Sequence, residues 1–337
     1  MIRHARQAWT NYPGARSKAV GQSTMGEHGA SEAGGDHQTG PASPKGSPNR
    51  PMRPRELQDA LNFHLYHPLA WQLARLLAKT PITPNVVSVI GGCFVVAAGI
   101  VYAQTYIHGW GWPGALLGMA LHMTWHVVDG ADGDLARITG RSSPLGEMID
   151  GVCDYTSHIV VYLILGWLLS LQIGAWWAWP IVVAAGVSHI VQANHVEVQR
   201  RQYQWWVYGT PWLRNTHKGE TKTGGFGFAQ IITGYLELAS GMTPDALTVD
   251  AAVEAAKADP ARLELIARLV RGEAPPLLRR LKVLGPNPRA IVLGISMLAG
   301  SPLWYMIYQT VVLNALLVIS VRKHNAAARR LAAEFAA

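Results

Sequence analysis

Residues 129–154, which read DGADGDLARITGRSSPLGEMIDGVCD, decide how the rest of the chain is interpreted. Asp129 and Asp132 are three residues apart, and Asp150 and Asp154 are four residues apart. These spacings place each pair on one face of a helix, about 4.5 Å and about 6 Å apart along the axis. The flanking residues are apolar enough to lie in a membrane, where ionisable groups are costly and indicate function. Two such pairs on adjacent helices predict a cluster of four carboxylates suited to hard divalent cations.

The same stretch resembles the signature of the CDP-alcohol phosphotransferases, which is D-x-x-D-G-x-x-A-R, eight or nine residues, then G-x-x-x-D-x-x-x-D. All of its fixed positions are filled without a substitution, by Asp129, Asp132, Gly133, Ala136, Arg137, Gly146, Asp150 and Asp154. The signature covers residues 129–154, and the hydropathy pattern extends the likeness over residues 55–325. The resemblance therefore indicates the class of reaction, and it does not identify the substrate.

The resemblance implies that Asp129, Asp132 and Asp150 ligate metal and that Asp154 is the base, with Asp154 also counted as a metal ligand. Four uncompensated carboxylates repel one another, so we expect two divalent cations, Mg²⁺ or Mn²⁺, to neutralise them and to clamp a pyrophosphate.

Small residues and an arginine surround the predicted metal ligands. Gly133, Ala136 and Gly146 lack bulk and are expected to leave room for a nucleotide against the two helices. Arg137 is suited to bidentate contact with phosphate oxygens. Asp134 has a helical phase away from Asp129, which favours a position on the solvent side or behind the ligands.

The implied reaction is attack by an acceptor hydroxyl on the β-phosphorus of a CDP-linked alcohol, with release of CMP. Two substrate arrangements stay open. In the preferred one, CDP-diacylglycerol donates to a polar alcohol of the inositol, glycerol phosphate or serine type. In the other, a CDP-linked head group is transferred to diacylglycerol or a similar lipid alcohol. The run SSPLGE at residues 142–147 is similar to choline/ethanolamine-type members and favours this second arrangement.

Functions of other classes fit the pattern less well. A membrane cation or proton pathway predicts carboxylates spread across the bilayer depth, whereas here they cluster at one end beside glycine and arginine. Buried ion pairs would need cationic partners, and the two helices offer only Arg137 and Arg141 at their edges. A non-catalytic lipid-binding scaffold is disfavoured because nothing expected for metal-phosphate chemistry is missing.

Five further polar residues are candidates for an acceptor cavity. His126 precedes Asp129 by three residues and His158 follows Asp154 by four, so each shares a face with the site. Ser188, Gln192 and His195 form a polar stripe on the next span. The stripe predicts cavity lining, with helix–helix hydrogen bonds as the alternative. For the two histidines, the alternative is an ordinary buried histidine.

The hydropathy pattern predicts an all-α membrane protein with six transmembrane helices, an N-terminal amphipathic surface helix over residues 55–79 and a cytoplasmic helical insertion. The predicted spans are residues 85–105, 113–137, 144–171, 174–198, 287–303 and 304–321. No lysine or arginine occurs between Lys79 and Arg137 or between Arg141 and Arg200. The basic residues thus alternate between connectors, which places both termini and the site on the cytoplasmic side, in the inner membrane of a bacterium.

The net charge of +8 is assigned to contacts with anionic lipid head groups rather than nucleic acid, because the basic residues adjoin apolar spans. We divide the chain into a disordered tail (1–54), the surface helix with spans one to four (55–202), the insertion (203–286) and the last two spans with a basic tail (287–337). The expected partners are the CDP-linked donor, the alcohol acceptor and membrane lipids, and a homodimer stays open.

Overall fold

The computed structural model describes residues 53–210, residue 238 and residues 241–336, and the regular elements in these residues are all helical. The predicted disordered tail lies outside the described residues except for Arg53 and Pro54. The first part of the predicted insertion, residues 211–237 with 239 and 240, also lies outside them. The prediction of an all-α protein is confirmed for the described part of the chain.

The helices follow one another with short connections. A 3₁₀ turn at Arg55–Leu57 and a π-helical turn at Asn62–Tyr66 precede the first α-helix, and a π-helical turn at Tyr308–Val312 joins the last two. The α-helices are α1 His67–Leu77, α2 Pro84–His108, α3 Gly111–Thr139, α4 Pro144–Ile173, α5 Ala175–Tyr208, α6 Ala246–Ala255, α7 Pro260–Val283, α8 Pro286–Leu298, α9 Leu303–Ile307 and α10 Leu313–Ala336.

Three helical stretches are long and apolar enough to cross a membrane, namely Pro84–His108, Leu145–Ile173 and Leu303–Phe335. They overlap the first, third and sixth predicted spans. Among the remaining predicted spans, α3 and α5 are long but carry more polar side chains, and α8 has only 13 residues. The apolar helices indicate an integral membrane protein.

The connection between α3 and α4 is short because each helix has a strong end signal. Gly140, with a φ of 66°, ends α3 in the left-handed conformation that glycine adopts without strain. Ser143 then caps α4, since its side chain accepts a hydrogen bond from the Gly146 amide at 3.0 Å. Four residues therefore separate the two helices that carry the aspartates, and the two pairs face each other near the same end of the bundle.

Helix α2 packs against both α3 and α4, and α1 packs against α3. On α1, the buried face consists of the small residues Ala70 and Ala74, which pack in a cluster with Ala131 of α3. The leucines at 65, 69 and 76 are instead 43%, 41% and 62% exposed, and they lie on another face of the same helical stretch. Small side chains thus bring α1 close to the aspartate helix while an apolar face stays uncovered.

The described part of the insertion is a helical hairpin formed by α6 and α7. The insertion was predicted to be helical, and its described part divides into Ala246–Ala255 and Pro260–Val283. Asp259 begins α7 by accepting hydrogen bonds from the amides of Ala261 and Arg262, at 3.0 and 3.1 Å. The hairpin shares a hydrophobic core with the ends of α5 and α10, so it belongs to the main fold.

Candidate active site

The first three predicted metal ligands converge. One carboxylate oxygen from each of Asp129, Asp132 and Asp150 lies within 4.8 Å of the others. The carboxyl group of Asp154 lies beside that of Asp129, and the carboxyl group of Asp150 lies beside that of Asp132. The structure therefore brings together both carboxylate pairs that the spacing singled out.

The chemistry of this donor set fits hard divalent cations. All four groups offer oxygen, which Mg²⁺ and Mn²⁺ prefer. Within the residues that the structure describes, Asp134 is the aspartate of this region that forms ion pairs with arginine, and none is formed by the four clustered aspartates. Carboxylates packed side by side without a protein cation repel each other, so bound metal ions are the expected compensation.

Two hydrogen-bond donors on other helices orient the carboxylates. The Ser88 hydroxyl of α2 donates to Asp132 Oδ2 at 2.5 Å. The Trp125 indole Nε1–H donates to Asp154 Oδ1 at 3.1 Å. Sequence reasoning missed both residues. Ser88 gave no signal because it lies in an apolar run, whereas Trp125 could have been found, since it precedes Asp129 by one helical turn.

A cavity of about 2010 Å³ extends from the aspartates to the surface, and Asp129, Asp150 and Asp154 line it. Its walls differ in chemistry. One side is apolar and is formed by α4 and α5, through Ile159, Leu163, Trp179, Val182, Val183 and Ile190. Another part is rich in basic side chains, through Arg53, Arg55, Arg200, Arg201, Arg271, Arg279, Lys282 and Arg289. Such a cavity can hold a ligand with an anionic part and an apolar part.

Five histidines line this cavity, namely His67, His122, His126, His158 and His189. His126 and His158 were predicted, and both are in place. The His158 ring lies 5.8 Å from His189 and 5.9 Å from His122, between ring centroids. The His158 Nδ1–H donates to the backbone carbonyl of Asp154 at 2.8 Å, which leaves Nε2 as an acceptor in the neutral ring. His122 was missed although it lies one turn before His126.

The predicted nucleotide-binding residues Gly133, Ala136, Arg137 and Gly146 are not among the residues that line the cavity. A Cβ at Gly133 would lie 3.4 Å from Arg137 Nη2, so this glycine gives room to the arginine. A Cβ at Gly146 would lie 3.3 Å from Ser143 Oγ and 3.6 Å from Asn85 Oδ1, so this glycine allows α4 to begin close to α2.

Asp134 lies apart from the metal cluster and is only 1% exposed. Its Oδ1 accepts hydrogen bonds from Arg137 at 2.5 Å and from Arg53 at 2.7 Å. Asp134 was expected either on the solvent side or behind the metal ligands, and the structure buries it behind them. There it binds Arg137, the arginine that was predicted to contact phosphate.

The polar stripe of α5 meets another helix instead of the cavity. Ser188 accepts a hydrogen bond from Asn314 at 2.9 Å, and Gln192 donates to Asn314 at 2.7 Å. His195 Nε2 and the Ser320 hydroxyl are hydrogen-bonded at 3.0 Å. These contacts correspond to the alternative of helix–helix hydrogen bonds, and on α5 the cavity is faced by neighbouring residues such as His189.

Arg289 is a further charged residue that sequence reasoning missed. It is 4% exposed, lines the cavity, and donates to Gln192 Oε1 at 3.3 Å. Among the described residues it forms no ion pair with a carboxylate. A buried guanidinium without such a partner is costly, so an anionic ligand in the cavity would compensate it.

One end of the cavity is built from three segments. Glu56, in the turn before α1, accepts hydrogen bonds from the hydroxyls of Tyr203, at 3.1 Å, and Tyr208, both on α5. Lys282 of α7 lies nearby, where burial, reinforced by the charge of Arg55, lowers the pKa of its ammonium group. The segment before α1, the end of α5 and α7 thus enclose this end together.

Fold and site together define a class, that of membrane proteins with an all-carboxylate site suited to metal-phosphate chemistry. Residues 81–245 match the family model described as CDP-alcohol phosphatidyltransferase, and this part of the chain contains the aspartates of the site. The resemblance noted in the sequence is thereby confirmed. A curated relative, cholinephosphotransferase 1 of Xenopus laevis, is 30% identical over 112 residues, which are 31% of this chain and 27% of the relative. The match thus spans little more than a quarter of that relative's length.

Proposed function

We propose that this protein transfers a phospho-alcohol group from a CDP-linked donor to an alcohol acceptor, with release of CMP, in phospholipid synthesis. The observation that carries the proposal is the cluster of Asp129, Asp132 and Asp150, whose ligand oxygens lie within 4.8 Å of one another at the wall of a large cavity. The match to the CDP-alcohol phosphatidyltransferase family model supports it.

In this proposal Asp129, Asp132, Asp150 and Asp154 hold two divalent cations, Mg²⁺ or Mn²⁺. Bound there, the cations supply charge neutralisation for the donor's phosphates and for the leaving CMP. The protein's own part is to fix the ligand oxygens. Ser88 does this for Asp132, and Trp125 does it for Asp154.

Asp154 is proposed as the base. Trp125 donates to Oδ1 of its carboxylate and so orients the group that receives the proton of the acceptor hydroxyl. As that proton transfers, the hydroxyl oxygen forms a bond to the β-phosphorus of the donor. The bond between this phosphorus and the bridging oxygen breaks, and CMP departs with that oxygen.

Of the two substrate arrangements, the similarity to a cholinephosphotransferase favours a CDP-linked head group as donor and diacylglycerol or a similar lipid alcohol as acceptor. The apolar wall between α4 and α5 supports it, because acyl chains can lie against residues such as Ile159 and Leu163. This reverses the order of preference drawn from the sequence analysis.

A second arrangement, CDP-diacylglycerol with a polar acceptor, is favoured by one observation. Arg289 is buried in the cavity wall without a carboxylate partner in the described part of the chain, and it would suit an acceptor that carries an anionic group, such as glycerol phosphate.

The membrane arrangement is also a proposal. We infer six spans, with α3, α5 and α8 joining the three apolar stretches, and both termini with the site on the cytoplasmic side of a bacterial inner membrane. The exposed leucines of the first helical stretch, at 65, 69 and 76, support an amphipathic helix on the membrane surface. A homodimer stays open.

The proposal is tested by CMP release from purified protein supplied with CDP-choline and diacylglycerol, or with CDP-diacylglycerol and a panel of polar alcohols. Each pair is assayed with Mg²⁺, with Mn²⁺ and with excess chelator. We expect release with one donor class, loss of release in chelator and recovery when metal is restored. Full activity in excess chelator would refute metal dependence, and activity with only the CDP-diacylglycerol pairs would establish the second arrangement.

A further inference from the structure

One buried carboxylate outside the metal cluster holds two arginines side by side. Asp134 Oδ1 accepts from Arg53 Nη2 at 2.7 Å and from Arg137 Nη2 at 2.5 Å. The Asp134 side chain is 2% exposed, whereas those of Arg53 and Arg137 are 26% and 47% exposed. Asp134 therefore holds two guanidinium groups, and both of them reach the surface.

Hydrogen bonds to α1 and to α5 hold the segment that carries Arg53. The Gln58 amide donates to the Arg53 carbonyl at 2.7 Å, and the Gln58 side-chain oxygen contacts His67 of α1 at 2.8 Å. Glu56 is held by the two tyrosine hydroxyls of α5. Because its backbone is anchored, Arg53 can offer its guanidinium to a ligand with little loss of conformational entropy.

Arg53 lies on the route between the surface and the aspartates. It lines the same cavity as Asp129 and Gly130, and Gly130 is one helical turn before Asp134 on the same face of α3. Asp134 is five residues beyond Asp129, or about 7.5 Å along the helix axis toward the cytoplasmic end. A phosphate group bound at the aspartates would thus have Arg53 on its cytoplasmic side.

We propose that Arg53 binds the diphosphate of the CDP-linked donor and that Asp134 is a positioning residue, which holds Arg53 and Arg137 in place for that contact. The ligand class is a nucleoside diphosphate, since guanidinium groups match phosphate oxygens in geometry and charge. The inference rests on the proposed function and adds two residues to it. Both act in binding the donor, and neither takes part in the transfer of the proton or of the phosphoryl group.

The test measures binding of CDP to the purified full chain in detergent with Mn²⁺, by titration calorimetry. Arg53→Gln should weaken CDP binding about 10-fold, the scale of one charge-assisted hydrogen bond. Asp134→Asn should weaken CDP binding as well. Because Asp134 acts through Arg53, the double variant should bind CDP about as weakly as Arg53→Gln alone, and the two losses of affinity should not add. Arg141→Gln, an exposed arginine of the same surface outside the cavity lining, is the matched control and should bind as the wild type does.

Turnover separates this role from a structural one. With saturating donor, Arg53→Gln should keep kcat within about 2-fold while KM for the donor rises about 10-fold. Arg53→Lys should recover part of the affinity, because charge returns without the planar fork. If Asp134→Asn does not fold, Arg53→Gln still decides the question, because its side chain is partly exposed at the edge of the fold.

Equal CDP binding by wild type and Arg53→Gln would overturn this inference and leave the proposed function standing. Failure of the wild type itself to bind CDP in the presence of Mn²⁺ would overturn both. Equal losses in Arg53→Gln and in the Arg141→Gln control would show a general effect of surface charge, which also contradicts a specific contact.

Discussion

At the scale of single residues, the four clustered aspartates are not equivalent. Asp132 accepts a hydroxyl hydrogen bond from Ser88, and Asp154 accepts an indole hydrogen bond from Trp125. The three closest ligand oxygens belong to Asp129, Asp132 and Asp150, and Asp154 stands one turn farther along α4. This division supports the proposal that Asp154 transfers the proton in addition to the metal binding that all four carboxylates share.

A conservative substitution can separate these roles. Asp154→Asn should lower kcat by a factor of about 10² or more, the usual scale for loss of a general base, while CDP-donor binding survives. Asp129→Asn and Asp132→Asn should lose donor binding as well, because the phosphates are held through the metal ions. Single-turnover kinetics and donor titrations would measure both quantities. Equal loss of donor binding in all three variants would make Asp154 simply another ligand.

The residues of the site differ in how far sequence could predict them. The aspartates were predictable because helical spacing alone places each pair on one face. Ser88 and Arg289 were not, because their part in the site comes from packing between helices distant in the chain. Arg137 was expected to contact phosphate oxygens, but its guanidinium donates to Asp134. The helical spacing allowed either contact and could not show which one forms.

At the scale of elements, α5 and the last helical stretch are joined by a buried polar network. The Gln192 amide donates to the Gln309 carbonyl at 3.0 Å, within the π-helical turn, and its oxygen accepts from the Gln309 side chain at 2.6 Å. The same oxygen accepts from Arg289 at 3.3 Å. One side chain thus connects three helical elements inside the membrane region.

Gln192→Leu should destabilise the protein, because it leaves Arg289, Gln309 and Asn314 without their partner. Each orphaned group costs about 1 kcal/mol, and hydrogen bonds between membrane helices average about 0.6 kcal/mol. We expect a lower midpoint of thermal unfolding in detergent, followed by circular dichroism. Val187→Leu, at an exposed apolar position of the same helix, is the control. An unchanged midpoint for Gln192→Leu would contradict a structural role of the network.

Sequence predicted the elements better than their boundaries and orientations. The third predicted span begins at residue 144, where α4 begins. The polar stripe on α5 was also predicted, but the sequence of one helix could not show which neighbour the stripe faces. Helix α7 continues through Pro275 and Pro276, which a sequence pattern interprets as a break. The prolines are tolerated there because α7 buries an apolar face, including Ile266 and Leu278, in a shared core.

At the scale of the whole molecule, function requires the aspartates and the basic end of the cavity to open on the side where nucleotide is present. Lys79 and Arg141 adjoin the proposed cytoplasmic ends of α2 and α3, and the opposite connector at residues 109–110 has no basic residue. This distribution is the physical argument for the orientation, because connectors on the cytoplasmic side of a membrane carry an excess of lysine and arginine.

Thiol labelling tests that arrangement. In a chain whose native Cys93 and Cys153 are replaced by alanine, we introduce His108→Cys, at the end of α2 just before α3, and Ser142→Cys, in the turn just after α3. An impermeant thiol reagent should label His108→Cys in intact cells and Ser142→Cys only after permeabilisation. Labelling of both from the same side would show that α3 does not span the membrane, and would leave fewer than six spans.

The four-residue turn between α3 and α4 has a consequence for the gene that encodes the protein. An in-frame codon gained between Gly140 and Ser143 adds to a loop that already ends one helix and starts the next, and the angular phase of each helix is unchanged. A codon gained between Pro144 and Asp150 turns the following aspartates by about 100° about the helix axis. Within the part of the gene that encodes residues 129–154, we therefore expect natural insertions and deletions to occur in the codons for residues 140–143 and not in the codons on either side.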